Sequence, residues 1–259
     1  MYTHWNITIP ELTGDEERRA YVYVPDGARA DDTRRYPVLY MFDGQNLFAD
    51  ADATFGKCWG LLDYITAHNI PLIVAAIECS HHPETDACGG RLSEYSPFDF
   101  SDPRLGDIRG RGALTMDYLV RTFKPCIDGH YPTLPDRDHT FIGGSSMGGL
   151  MTLYALCEYN DVFSRGAALS PSLGFSTQAV RDMVASARLR RTSVYMDSGS
   201  KEMRSRRSRE NFAAVTALLI EKGAWVESRV VPGGFHSEAS WERQIPFFMD
   251  VLFYGLREV

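Results

Sequence analysis

Ser146 stands between Gly144 and Gly148, and the residues on either side give that serine a chemical meaning. Thr140-Phe141-Ile142 reads as a short β run ending in two glycines, and Leu150, Leu153, Tyr154 and Cys157 recur at helical spacing after it. A serine between a strand and a helix sits on a turn so tight that side chains two residues away on either side would strike backbone, which explains the flanking glycines. The start of the helix presents free N–H groups and the positive end of its dipole, so negative charge can develop there. This arrangement serves a nucleophile attacking a carbonyl carbon. A serine hydroxyl is weak until a base takes its proton, and the acid and the histidine that complete such a site follow the serine in the chain.

Only His236 fits that order. His4, His68, His81, His82, His130 and His139 all precede the serine, whereas His236 follows the last strand behind Gly233-Gly234. Two carboxylates compete to orient it, Asp197 and Glu202. In Ser193-Val194-Tyr195-Met196-Asp197 the aspartate is still within or at the end of a strand, where it can accept local backbone N–H groups. Glu202 lies past Gly199, has the longer reach, and has Lys201 and Arg204 beside it to keep it ionised, so the expectation favours Glu202. Two amides must hold the developing oxyanion. The expected donors are Met147, directly after the serine, and Gln45, in the loop after Pro37-Val38-Leu39-Tyr40-Met41-Phe42.

The elements that position these residues alternate along the chain. Asn6 to Ile9 and Tyr21 to Val24 read as an opening hairpin, Val38 to Phe42 and Leu72 to Ile77 as strands buried on both faces, and Gly60 to His68 as a helix. Arg111 to Tyr131 is helical in period, with Pro125 expected to kink or end it. Strands at 165–169, 193–196 and 225–231 alternate with helices at 177–187 and 209–222, and a last helix carries Trp241, Ile245, Phe248 and Leu252. This predicts one α/β domain over residues 1–259, with a mostly parallel sheet of about eight strands and helices on both faces. Ser80 to Gly110 is polar, lacks periodicity and carries isolated aromatics. It is expected to form a substrate-site loop insertion, with Tyr95 and Phe98 in a wall or lid of the pocket.

Composition sets the outer bounds. The 259 residues carry a net charge of −7, which opposes general nucleic-acid binding, and no apolar run approaches membrane-spanning length. Five scattered cysteines without a C-x-x-C pair suit reduced thiols, giving the expectation of a cytoplasmic protein without a disulfide framework or metal site; His81-His82-Pro83-Glu84 lacks a third spaced ligand. The basic run Lys201, Arg204, Arg206, Arg207, Arg209 reads either as a solvated face or as a positive rim for an acidic substrate.

Pro37 to Gly44, Gly143-Gly144-Ser145-Ser146-Met147-Gly148-Gly149, and Gly234-Phe235-His236-Ser237 with Trp241 nearby resemble the putative-esterase family of α/β-hydrolases. That family includes esterase D, enterochelin-type siderophore esterases, feruloyl and acetyl-xylan esterases, and mycolyltransferases. The resemblance runs from about Tyr21 to Leu256 and implies a serine carboxylesterase acting on a small-molecule ester, with no cofactor. It maps a Gly-x-x-acid turn onto Gly199-x-x-Glu202 and an oxyanion amide onto Gln45. Two departures follow from it. Siderophore esterases of the family can work with a Ser–His dyad, and Ser80 to Gly110 matches no substrate-specific pattern. An acyltransferase on the same residues and a binding protein on the same scaffold are the alternatives.

Overall fold

The computed structural model describes residues 2–26, 33–81 and 90–256. In chain order the elements are β1 (Tyr2–Thr8), α1 (Pro10–Thr13), β2 (Glu17–Tyr23), β3 (Val38–Met41), a 3₁₀ turn (Gly44–Asn46), α2 (Leu61–Ala67), β4 (Ile73–Ile77), α3 (Arg91–Glu94), β5 (Phe100–Asp102) and β6 (Gly106–Ile108). There follow α4 (Gly112–Tyr118), α5 (Lys124–His130), β7 (Thr140–Ser145), α6 (Met147–Glu158), β8 (Arg165–Leu169), α7 (Thr177–Ser186), β9 (Ser193–Gly199), α8 (Arg206–Glu221), β10 (Trp225–Val231), α9 (Glu238–Glu242) and α10 (Ile245–Phe253). Eight strands form one sheet in the order β1-β2-β4-β3-β7-β8-β9-β10. β1 and β2 are antiparallel, β2 runs antiparallel to β4, and every pairing from β4 to β10 is parallel.

The pleat explains why the central strands read as unbroken apolar runs. Val38 and Tyr40 point into one core and Leu39 and Met41 into the other, and Ile142 and Phe141, or Val194 and Tyr195, divide in the same way. α4 through α8 cover the first face, and α2 and α10 cover the second. This is the α/β-hydrolase-like architecture that the alternation of elements predicts. No helix among the described residues is long and apolar enough to cross a membrane.

Three expectations are corrected in detail. Pro125 does not end its helix: Leu119–Phe123 widens into a π turn, where Lys124 N–H reaches Leu119 O, and the helix resumes as α5 with the proline in its first turn. The final helix is two, α9 and α10, with Pro246 opening the second. The segment expected to be an irregular loop over 80–110 contains α3 and a small hairpin, β5–β6, although residues 82–89 lie outside the described residues. His82, Pro83 and Glu84 fall among those. His81 pairs with Glu78 (3.4 Å), and no group of three or more metal-ligating side chains gathers among the described residues.

A buried ion pair anchors that insertion to the sheet. Arg18 of β2 donates from Nη1 to both carboxylate oxygens of Glu94 in α3 (2.7 and 2.8 Å), with almost no side-chain exposure for either partner. Burial pushes the Glu94 carboxyl up, and Arg18 opposes that effect. Removing one partner leaves a buried charge without compensation, which is costly, whereas removing both need not be. Arg18→Met should therefore lower unfolding stability in urea by about 3–5 kcal/mol, and Arg18→Met with Glu94→Leu should recover most of that loss.

Candidate active site

Ser146 occupies the turn between β7 and α6 at φ 59°, ψ −118°, a region that non-glycine residues avoid. The glycines around it have measurable reasons. A Cβ at Gly144 would lie 2.9 Å from the Gly148 carbonyl carbon, and one at Gly148 would lie 3.0 Å from Phe42 Cβ. Ser146 N–H donates to Leu169 O (2.9 Å), so the turn is tied to the end of β8. Met147 is the first residue of α6, and its N–H has no acceptor within the helix.

The loop after β3 stands beside this turn. Asp43 is left-handed (φ 57°, ψ 53°), and the Arg91 guanidinium clamps its carboxylate through Nε and Nη2, both at 2.6 Å. Asp43 N–H donates to the Tyr95 hydroxyl (3.2 Å), and Arg91 lies over the Tyr95 ring. Gln45 follows in the 3₁₀ turn. Its side-chain amide is already committed, donating to Thr54 Oγ1 and Cys79 Sγ (both 3.3 Å), so what the residue can offer an oxyanion is its backbone N–H.

His236 and Glu202 meet because two loops cross. Beyond β9 and β10, Ser200 N–H donates to Val231 O (2.9 Å) and Lys201 N–H to Gly234 O (3.0 Å). The crossing needs bare backbone, since a Cβ on Gly199 would strike Gly234 and approach Glu202 Oε1 to 2.8 Å. His236 Nδ1–H donates to Glu202 Oε2 at 2.5 Å. The other oxygen, Oε1, accepts from Gly199 N–H and from Ser170 Oγ, each at 2.8 Å. Burial pushes the Glu202 carboxyl up, but the hydrogen bonds from His236 and Ser170 outweigh it and hold the group below its ordinary value.

Asp197 is the other candidate acid, and the structure places it elsewhere. It is buried in β9, where Oδ1 accepts from Ser170 N–H (3.0 Å) and Oδ2 from the Tyr195 hydroxyl (3.0 Å). Burial raises its carboxyl to about 6. Its partner Ser170 was not singled out by sequence reasoning. Ser170 is a buried non-glycine residue at φ 43° whose hydroxyl donates to Glu202 and accepts from Trp241 Nε1 (3.0 Å). The Trp241 ring also meets His236 edge to face, with centroids 5.1 Å apart.

Ser146 Oγ lies 3.3 Å from Ser172 Oγ. Ser172 shares the wall of a cavity of about 260 Å³ with Ser170, Glu202 and His236, so the residue that Ser146 Oγ contacts and the His–Glu pair line one space. Phe175 and Phe212 supply its aromatic lining, and Phe175 stacks on Phe100 of the insertion (4.7 Å). The insertion thus touches the cavity wall from behind, where Phe100 packs on Phe175. Tyr95, expected in the wall, is 1% exposed beneath the Asp43 turn because its hydroxyl and ring are committed there. Phe98 is half-buried against the core on the same side as Phe100 and does not line the cavity. The basic side chains from Lys201 to Arg209 are exposed around the start of α8, where Arg206 pairs with Glu210 (2.6 Å).

The sequence pattern of the family described as "putative esterase" matches residues 12–249. The chain belongs to that family. Membership makes it a carboxylic-ester hydrolase. Among curated proteins, the uncharacterized protein YbbA of Bacillus subtilis (strain 168) is 25% identical over 198 residues, spanning 74% of this chain and 71% of YbbA. Solved structures share the fold. An IroE-like serine hydrolase from Shewanella oneidensis superposes with a TM-score of 0.72 at 18% identity, covering 97% of this chain and 79% of its own. An S-formylglutathione hydrolase (FrmB) from Staphylococcus aureus gives 0.66 at 17% identity, covering 97% and 96%.

The buried Asp197 gives a pH test of this arrangement. Its folded value of about 6 exceeds the ordinary 3.8, so between those values the folded protein holds a proton that the unfolded chain has released. That group's contribution is most favourable below pH ~4 and is lost as pH rises through ~6. Unfolding stability of wild type relative to Asp197→Asn should fall by roughly 2–3 kcal/mol from pH 4 to pH 7. A difference independent of pH would mean that Asp197 is ionised throughout.

Proposed function

We propose that the protein is a serine carboxylesterase that hydrolyses small esters through an acyl-enzyme, with Ser146 as nucleophile, His236 as general base and acid, and Glu202 as the acid that orients the histidine. The observation that carries this reading is the 2.5 Å contact between His236 Nδ1 and Glu202 Oε2, on a cavity whose wall includes Ser172, the contact of Ser146 Oγ. When the His236 ring is neutral, donation from Nδ1 to the carboxylate leaves the lone pair on Nε2, the nitrogen that acts as base.

In the first half-reaction His236 Nε2 takes the Ser146 hydroxyl proton as Oγ bonds to the acyl carbon. The Met147 and Gln45 backbone N–H groups hold the oxyanion, which collapses as the bond to the alcohol oxygen breaks and His236 returns the proton to that oxygen. In the second half-reaction water repeats the sequence, releasing the carboxylic acid and restoring Ser146. In the resting arrangement Ser146 Oγ faces Ser172, so the reaction requires that side chain to turn toward His236; catalytic contacts commonly tighten only when substrate is bound. No cofactor enters these steps.

Ser146→Ala should lower kcat by ~10³-fold or more with the fold intact, because what remains is oxyanion and binding stabilisation. Glu202→Gln should cost ~10²–10⁴-fold in kcat, while Asp197→Asn costs much less, because Asp197 binds backbone and phenol rather than imidazole. Greater damage from Asp197→Asn would move the acid role there, and an unaffected Glu202→Gln would indicate a Ser–His dyad.

Phe175 is the residue expected to set the size of the acyl or alcohol group. Phe175→Ala should change the ratio of kcat/KM for aryl against acetyl esters by ~10-fold or more, with a smaller effect on stability. An unaltered ranking across an ester panel would remove this cavity from the substrate site.

A further inference from the structure

β10 is the last strand of the sheet, and among the described residues nothing pairs with its outer edge. It pairs with β9 through seven consecutive residues without a bulge, and it contains neither proline nor lysine. Bulges, proline and lysine are among the devices by which a sheet protects an exposed edge, and the two charges this strand does carry, Glu227 and Arg229, are of opposite sign, so the edge can still pair with a copy of itself. Its surroundings are apolar as well. Trp225 (42% exposed) stacks on Tyr254 (65%) at 4.5 Å, and Arg229 lies over Phe247, itself part-exposed. Val230, on the other face of the strand, is 51% exposed.

We propose that this edge is the interface of a homodimer in which β10 pairs antiparallel with β10 of a second copy. A two-fold axis normal to the sheet keeps each side chain on its own face, so residues opposite one another must have the same parity. Three central registers are then available. Centred on Glu227, the pairing sets the two glutamates face to face, and centred on Arg229 it does the same to the two arginines. Centred on Ser228, it overlaps all seven residues from Trp225 to Val231. That register sets Glu227 opposite Arg229 twice, Val226 opposite Val230 twice, and Trp225 opposite Val231 twice. Opposite charges and apolar pairs directly across an antiparallel ladder each stabilise it, and like charges there destabilise it. The strand is therefore complementary to itself in the one register that uses its full length. The net charge of −7 per chain opposes association over long range, but salt at physiological strength screens separations beyond about 8 Å.

The test is sedimentation-velocity centrifugation of the full chain at 1–100 µM (~ a hundredfold range) in 0.15 M salt, with esterase activity and circular dichroism as checks on the fold. Wild type should show a concentration-dependent dimer. Glu227→Arg sets a second positive charge against Arg229 of the second copy and should weaken dimerisation by ~10-fold or more. Adding Arg229→Glu to it restores opposite charges and should restore the dimer. Ser228→Lys, at an exposed position on the axis, should also give a monomer without relying on Arg229. A wild-type monomer at 100 µM (~0.1 mM) would overturn the proposal, as would a dimer unaffected by both Glu227→Arg and Ser228→Lys.

Discussion

The site depends on a backbone conformation that side chains ordinarily refuse. Holding Ser146 at φ 59°, ψ −118° costs on the order of 1–3 kcal/mol, which the surrounding structure must offset. β7 supplies the approach, α6 the departure, and the bond from Ser146 N–H to Leu169 O fixes the crest of the turn to the neighbouring strand. With no Cβ at Gly144 or Gly148, the two sides of the turn can close on each other and on Phe42. What this strain secures is a hydroxyl at the C-terminal end of a central strand, beside a helix start whose first N–H groups have no acceptor within the helix.

The rest of the constellation follows from how neighbouring strand ends are joined. Ser170, at the end of β8, is the junction: its N–H holds Asp197, its hydroxyl holds Glu202, and Trp241 donates to that same hydroxyl. One oxygen of Glu202 is fully occupied by structural donors, which leaves the other for His236. Two acids five residues apart thus have opposite environments. Asp197, buried with a phenol and one backbone amide, is pushed up to about 6, and Glu202, half-buried among three donors, is held low. On the other side of Ser146, the Arg18–Glu94 pair anchors α3, α3 presents Arg91, and Arg91 clamps the Asp43 turn that carries Gln45.

Much of this was legible in the sequence because it rests on backbone requirements that restrict residue choice. The Gly144-Ser146-Gly148 spacing, the glycine pair before His236 and the apolar runs of β3, β4 and β7 each identify their element without tertiary information. The crossing at Gly199 and Gly234 turns Glu202, and not Asp197, toward the imidazole, and the proposed role of Glu202 rests on that contact. Ser170 was not legible, because a small polar residue after a strand carries no pattern and its role exists only through three long-range partners. Tyr95 misled for the opposite reason. An aromatic in a polar stretch looks available, yet its hydroxyl and ring are consumed by Asp43, Arg91 and Phe42. Phe100, which backs the cavity-lining Phe175, has no sequence feature to distinguish it from Phe98.

The central claim is that an acyl group passes through Ser146. Intact-mass spectrometry after rapid mixing with a slowly deacylating activated ester, followed by peptide mapping, tests it directly. The account predicts one added acyl group on the peptide containing Ser146, which forms with the burst of released alcohol and decays at the steady-state rate. Sustained ester turnover with no adduct, or an adduct on any other residue, would contradict it.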